Sequence, residues 1–74
     1  MEGDEVKKIR EKLGLSRDEM AQFLCLSGYQ SIMNIETGFR RPARFSAKIL
    51  SYLNSISKQK AMALIEELNR HEPK

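Results

Sequence analysis

Cysteine, histidine, proline and tryptophan are scarce in this chain of 74 residues, which has one Cys, one His, two Pro and no Trp. A single cysteine, Cys25, excludes an internal disulfide framework and a cysteine-rich zinc site. The single histidine, His71, lies in a polar tail, away from any nucleophile or carboxylate pair that it could serve. We therefore expect no enzyme activity, no metal site and no cofactor.

Long apolar runs are also missing, and none approaches the roughly 18 residues of a membrane span. The N-terminal segment is charged and lacks the apolar stretch of a signal peptide. A chain of this length forms one domain at most, near the lower limit for a single apolar core. With 41% hydrophobic and 31% charged residues, we expect a small cytoplasmic protein with no membrane association.

The charge of the chain is distributed unevenly. Thirteen Lys and Arg residues against ten Asp and Glu give a net charge of +3. No charged residue occurs from Met20 to Ile35, whereas the segment 36–48 has one carboxylate, Glu36, and four basic side chains: Arg40, Arg41, Arg44 and Lys48. Such a local basic cluster favours an anionic partner.

Helical periodicity runs through the chain and no segment alternates with a period of two, which predicts an all-α fold of five short helices. Asp4 can cap helix one, and Gly14 can end it in a left-handed conformation. Ser16 and Glu19 form a capping-box pattern that begins helix two over about 17–24. This second helix is expected to bury Met20, Ala21 and Leu24, with Cys25 as a small buried residue in the following turn.

The remaining helices follow the same pattern. Helix three fits about 29–37 with Ile32 and Ile35 inward, and helix four fits about 44–54. Ser57 can cap helix five over about 58–70, whose apolar stripe either closes the core or pairs with a second copy. Residues 71–74 are expected to form a frayed tail.

Helices two and three are short and are joined by a turn of about four residues that contains Gly28. The motif positions in and around these two helices are the segment Leu15 to Ala21, then Ser27, Ile32, Ile35-Glu36-x-Gly38 and Arg41-Pro42. In these residues the chain resembles the lambdoid phage repressor and Cro family of XRE-type helix-turn-helix proteins, over about residues 5–54. The family usually has Gly where Cys25 stands, and the turn here is one residue longer.

The resemblance implies a lambda-repressor-like DNA-binding domain over residues 1–70, in which helix three is the recognition helix in the major groove. Gln and Asn side chains can bond an adenine bidentately, and the spacing of Gln30 and Asn34 places both on one face. The expected base contacts are Tyr29, Gln30 and Asn34, followed by Ser31 and Met33. Tyr29 has an alternative role as an aromatic residue packed at the helix start.

Further residues are expected to hold the DNA backbone without reading its sequence. These expected phosphate contacts are Arg17, Arg40, Arg41, Arg44, Ser16 and Gln22. The resemblance also implies an ion pair between Arg10 and Glu36, joining helix one to helix three. The expected dimer contacts lie on helix five, at Met62, Ile65 and Leu68.

These features predict a transcriptional regulator that binds double-stranded DNA as a homodimer at an inverted repeat, within the nucleoid. We expect a repressor that regulates its own small operon, of phage or mobile-element type. The alternative is a protein-binding helical module of the same fold, such as the antitoxin of a toxin–antitoxin pair, whose partner is a toxin or another protein.

Overall fold

The computed structural model describes residues 1–72, and in that part of the chain it contains five α-helices and no strand. The helices are α1 (Gly3–Leu13), α2 (Arg17–Phe23), α3 (Tyr29–Glu36), α4 (Arg44–Ser55) and α5 (Lys58–Arg70). The all-α prediction is therefore confirmed, with bounds that differ from the expected ones by one residue or less for α2 to α5. The last two residues of the expected tail, 73–74, lie outside the described residues, and its fraying stays a prediction.

Helix α1 begins earlier than the sequence pattern indicated. Glu2, not Asp4, is the N-cap residue, and its backbone N–H donates to the Glu5 carboxylate at 3.2 Å. Asp4 lies in the first turn, where its negative charge interacts favourably with the positive end of the helix dipole. At the other end, Gly14 has a φ of 73°, as expected for a left-handed terminator.

The capping box of α2 is present. The Ser16 hydroxyl accepts from the Glu19 backbone N–H at 3.1 Å, and the Ser16 backbone N–H donates to the Glu19 carboxylate at 2.9 Å. Hydrogen bonding by Ser16, first through its backbone N–H and then through its side chain, lowers the pKa of the Glu19 carboxyl below its usual value. The start of α2, and with it the spacing to α3, is therefore fixed locally.

The apolar core lies between all five helices. Its completely buried side chains come from every helix: Val6, Leu13, Met20, Ile32, Leu50, Leu53 and Ala61 are among them. Leu24, which was expected to be buried, is only half-buried because α2 ends at Phe23 and Leu24 is its C-cap, whereas Phe23 is buried. Phe45 on α4 is 69% exposed although its helix is amphipathic.

Residues 24–28 connect α2 to α3 and turn sharply at Cys25. Cys25 has a φ of 60°, and the Leu26 N–H donates to the Ala21 carbonyl at 2.8 Å while the Cys25 N–H donates to Gln22. This pair of bonds is a Schellman motif, which needs a left-handed residue at the position of Cys25. Cys25 is exposed, so the expectation of a buried cysteine is wrong: the left-handed turn directs its side chain to solvent.

Candidate nucleic-acid interface

Helix α3 has one buried and one accessible side. Ile32 and Ile35 are buried in the core and fix the helix against α1 and α2. Tyr29 and Gln30, in its first turn, are exposed, and the half-buried side chains Ser31, Met33 and Asn34 continue this surface. All five residues expected to contact bases therefore lie outside the buried core, and Tyr29 is 50% exposed rather than packed into it.

Neighbouring polar side chains on α3 bond to each other. Gln30 Nε2 donates to Asn34 Oδ1 at 3.1 Å, one helical turn apart. The hydroxyls of Ser27 and Ser31 are 2.8 Å apart across the start of the helix. The i, i+4 spacing of Gln30 and Asn34 was visible in the sequence, but the bond between them was not predicted.

The connection from α3 to α4 is folded back onto α3. Gly38 has a φ of 85°, the Arg40 N–H donates to the Asn34 carbonyl at 3.0 Å, and the Thr37 hydroxyl donates to the same carbonyl at 3.3 Å. Because of this turn, Arg40 and Arg41 lie beside the accessible side of α3 rather than beyond its end.

A groove of about 440 Å³ runs between α3 and this connection. Its α3 side holds Gln30, Ser31 and Asn34, and its opposite side holds Arg40 and Arg41. The fold thus brings three of the expected base-contact residues together with two of the expected phosphate-contact residues. Hydrogen-bonding amides on one side of a groove and positively charged side chains on the other suit a ligand with polar edges and an anionic backbone.

The other expected phosphate contacts do not line this groove. Arg44 is the exposed first residue of α4, and Ser16 is the N-cap of α2, where its hydroxyl oxygen already accepts from Glu19. Gln22 is exposed and lines two other hollows beside the α2–α3 connection, together with Cys25, and does not line the groove. Its position therefore does not bring it together with the arginines.

Glu36 binds two arginines. Its side chain is only 2% exposed, and its Oε2 lies 2.6 Å from Arg10 Nε. Its Oε1 lies 3.2 Å from Arg17 Nε, and the Arg17 side chain is 37% exposed. The Arg10–Glu36 pair is the one that the family resemblance implied, whereas the Arg17 bond was missed, because Arg17 was expected to contact a phosphate and the resemblance implied no pair for it.

This network determines the charge at the groove. The carboxylate of Glu36, the one acidic group of the segment 36–48, is neutralised by Arg10 and Arg17. Arg40, Arg41 and Arg44 form no ion pair in the part of the chain that the structure describes, and all three are exposed. The groove therefore keeps a positive potential on its loop side.

The expected dimer contacts on α5 differ in their accessibility. Ile65 is 4% exposed and belongs to the core of its own chain, so a second copy cannot reach it, and its assignment as a dimer contact is wrong. Met62 is half-buried against the same core, and Leu68 is 40% exposed. Helix α5 therefore closes the core through Ala61 and Ile65 and leaves Leu68 accessible.

Comparisons with protein-family models, with curated proteins and with solved structures give no match to this chain. No helix within residues 1–72 has the length and apolar character needed to cross a membrane.

Proposed function

We propose that this chain is a sequence-specific DNA-binding transcriptional regulator with a lambda-repressor-like helix-turn-helix domain. In this proposal α2 and α3 are the helix-turn-helix pair, and α3 enters the major groove as the recognition helix. The observation that carries the proposal is the shared groove, in which the amides of Gln30 and Asn34 face the guanidinium-bearing loop of Arg40 and Arg41.

Two sets of side chains have different tasks in this mechanism. Tyr29, Gln30 and Ser31, at the N-terminal end of α3, contact base edges, which is the part of a recognition helix that reaches them. Arg40, Arg41 and Arg44 bind phosphates and set the register of the protein on the duplex. Arg17 contributes with the accessible part of its guanidinium, while Glu36 holds its Nε.

The regulator acts as a homodimer on an inverted repeat, because a twofold protein binds a twofold site. The second copy packs on an α4–α5 face, which we define as Phe45, Ile49, Tyr52 and Leu68. Phe45, Ile49 and Leu68 line one hollow of about 200 Å³, and Tyr52 lies one turn beyond Ile49 on α4. Phe45, Tyr52 and Leu68 are 69%, 56% and 40% exposed.

The edges of this face have opposite charges. On α4, Lys48 is three residues after Phe45 and four before Tyr52, so it lies alongside them on the same side of the helix. Glu72 lines the hollow together with Leu68. A twofold axis that places α4 of one copy on α5 of the other brings these opposite charges together. We propose that the dimer acts as a repressor of its own small operon, within the nucleoid.

Selection from a random DNA pool tests the proposal. We expect an inverted repeat whose half-site centres lie about 34 Å apart, one helical turn of DNA. Arg41→Ala should weaken binding to the selected site and to random DNA alike, and should reduce the salt slope by about one, because it removes one phosphate-binding side chain. Arg70→Ala is the matched control, because Arg70 is an exposed arginine on α5 that pairs with Glu67.

If no site is enriched, the protein does not read DNA sequence, and if binding to DNA does not depend on salt, the assigned phosphate contacts are wrong. The polar side of α3 would then belong to a protein-binding module such as an antitoxin.

A further inference from the structure

The two amide side chains on α3, Gln30 and Asn34, differ in their exposure and in their hydrogen bonds. Gln30 is exposed in the first turn of the helix, and Asn34 is half-buried one turn later. Gln30 Nε2 donates to Asn34 Oδ1 at 3.1 Å and lies 3.9 Å from Met33 Sδ. The amide nitrogen of Gln30 is therefore held by the following turn before any ligand arrives.

Asn34 is itself held at its backbone. Its carbonyl accepts from the Arg40 N–H at 3.0 Å and from the Thr37 hydroxyl at 3.3 Å. The residue that orients Gln30 is thus also the residue on which the basic loop is anchored. Both sides of the groove are positioned through Asn34.

The bond to Asn34 determines what Gln30 can recognise. One Nε2 hydrogen of Gln30 is donated to Asn34, and beyond that Nε2 meets only the weak acceptor Met33 Sδ at 3.9 Å. The second N–H and the acceptor Oε1 can therefore bind a base edge. Adenine presents the complementary pair in the major groove, the N6 donor and the N7 acceptor. Guanine presents two acceptors there, and a single remaining donor can satisfy only one of them.

We infer that Gln30 reads one adenine in the major groove and that Asn34 is a positioning residue that orients Gln30, without reading a base of its own. This inference rests on the proposed function, since it assigns the base that the α3 groove recognises. Gln30 and Asn34, which were both expected to contact bases, then form one base contact, in which Asn34 only orients Gln30.

The test maps base preference position by position, by selection from random DNA with purified full-length variants. Gln30→Ala should relax the preference at one base pair, with a loss there of about tenfold or more. Asn34→Ala should relax the preference at that same base pair, and should add nothing further when it is combined with Gln30→Ala. Asn34→Asp keeps an oxygen acceptor for Gln30, so it should retain the adenine preference although its charge weakens overall affinity.

A modified base tests the same contact from the DNA side. Replacing the assigned adenine by 7-deazaadenine removes N7 and should weaken wild-type binding, but leave Gln30→Ala binding unchanged. Gln59→Ala, a change at an exposed glutamine on α5, is the control and should preserve the wild-type profile. Thermal melting of each variant separates loss of recognition from loss of fold.

The inference is overturned if Asn34→Ala relaxes a different base pair from Gln30→Ala, or if the two losses add independently. In either outcome a site is still selected and the proposed function stands. If wild-type protein selects no site and Arg41→Ala leaves the salt slope unchanged, the proposed function fails and this inference fails with it.

Discussion

Arg10 and Glu36 join α1 to α3 through a contact of 2.6 Å between Arg10 Nε and Glu36 Oε2. Both side chains are largely removed from solvent, at 12% and 2% exposure. Arg10 also donates from Nη1 to the Leu15 carbonyl at 3.0 Å, so it links the end of α1 to the segment before α2. One guanidinium thus sets the position of three consecutive helices.

We expect Glu36→Ala to destabilise the protein by about 3–5 kcal/mol, because it leaves Arg10 with its charge buried and unpaired. The total stability of so small a domain is only about 5 kcal/mol, so the melting temperature should fall sharply. The double change Arg10→Met with Glu36→Leu removes both charges and should recover much of this loss. A shift of only a degree or two for Glu36→Ala, measured by thermal circular dichroism, would contradict the prediction.

Arg17→Ala is the matched comparison for the same carboxylate. Its side chain is 37% exposed, so solvent screens its charge, and Glu36 keeps Arg10 as a partner; we therefore expect a loss below about 1 kcal/mol.

Gly3 meets the C-terminal end of α3 too closely to admit a side chain. A Cβ at this position would lie 2.6 Å from the Glu36 carbonyl oxygen and closer still to that of Ile35. We expect Gly3→Ala to lower the free energy of unfolding by about 1–3 kcal/mol in urea denaturation, through overpacking against backbone. Gly28→Ala is the control: no atom lies within 4 Å of a Cβ placed there, so it tests the loss of a glycine at the N-cap of α3 without overpacking, and should cost below about 1 kcal/mol.

The order of the helices, and their bounds apart from the start of α1, could be predicted because their signals are local. The capping box of Ser16 and Glu19, the left-handed Gly14 and the cap Ser57 each act within one helical turn. The close approach of Gly3 to α3 and the bond of Arg17 to Glu36 could not be predicted, because they depend on how distant helices pack. The same holds for the groove, which depends on the loop of Arg40 turning back to the Asn34 carbonyl.

Glu19 should make the stability of α2 depend on acid pH. Its pKa is lowered in the folded protein by the Ser16 hydrogen bonds, so its contribution is present above the unfolded value and is lost as the pH falls through the folded value. Glu19→Gln keeps a capping-box side chain that does not titrate. Below about pH 4.5, urea denaturation should therefore show a steeper loss of stability for the wild type than for Glu19→Gln; parallel curves would contradict this.

Cys25 occupies a left-handed position that glycine adopts without steric cost. Its φ of 60° costs a residue with a Cβ about 1–2 kcal/mol, offset in part by the extra freedom that glycine has in the unfolded chain. We expect Cys25→Gly to stabilise the protein by about 0.5–1 kcal/mol, since the exposed thiol contributes little packing. Cys25→Ala keeps the Cβ and should give no such gain, which separates relief of backbone strain from loss of the thiol.

Leu68 offers the most direct test of the α4–α5 face as the dimer interface. It is 40% exposed and lines the hollow with Phe45 and Ile49, so a charge there would remain in water in the monomer but be buried in the dimer. We expect Leu68→Lys to shift the protein toward the monomer in sedimentation equilibrium and to lower its affinity for the inverted repeat more than for an isolated half-site. Ala63→Lys adds the same charge at another exposed position of α5 and should leave both measurements unchanged. The melting temperature of Leu68→Lys should be near that of the wild type, which would show that its fold is intact. If Leu68→Lys leaves the mass and the inverted-repeat affinity as they are in the wild type, the two copies meet through another surface.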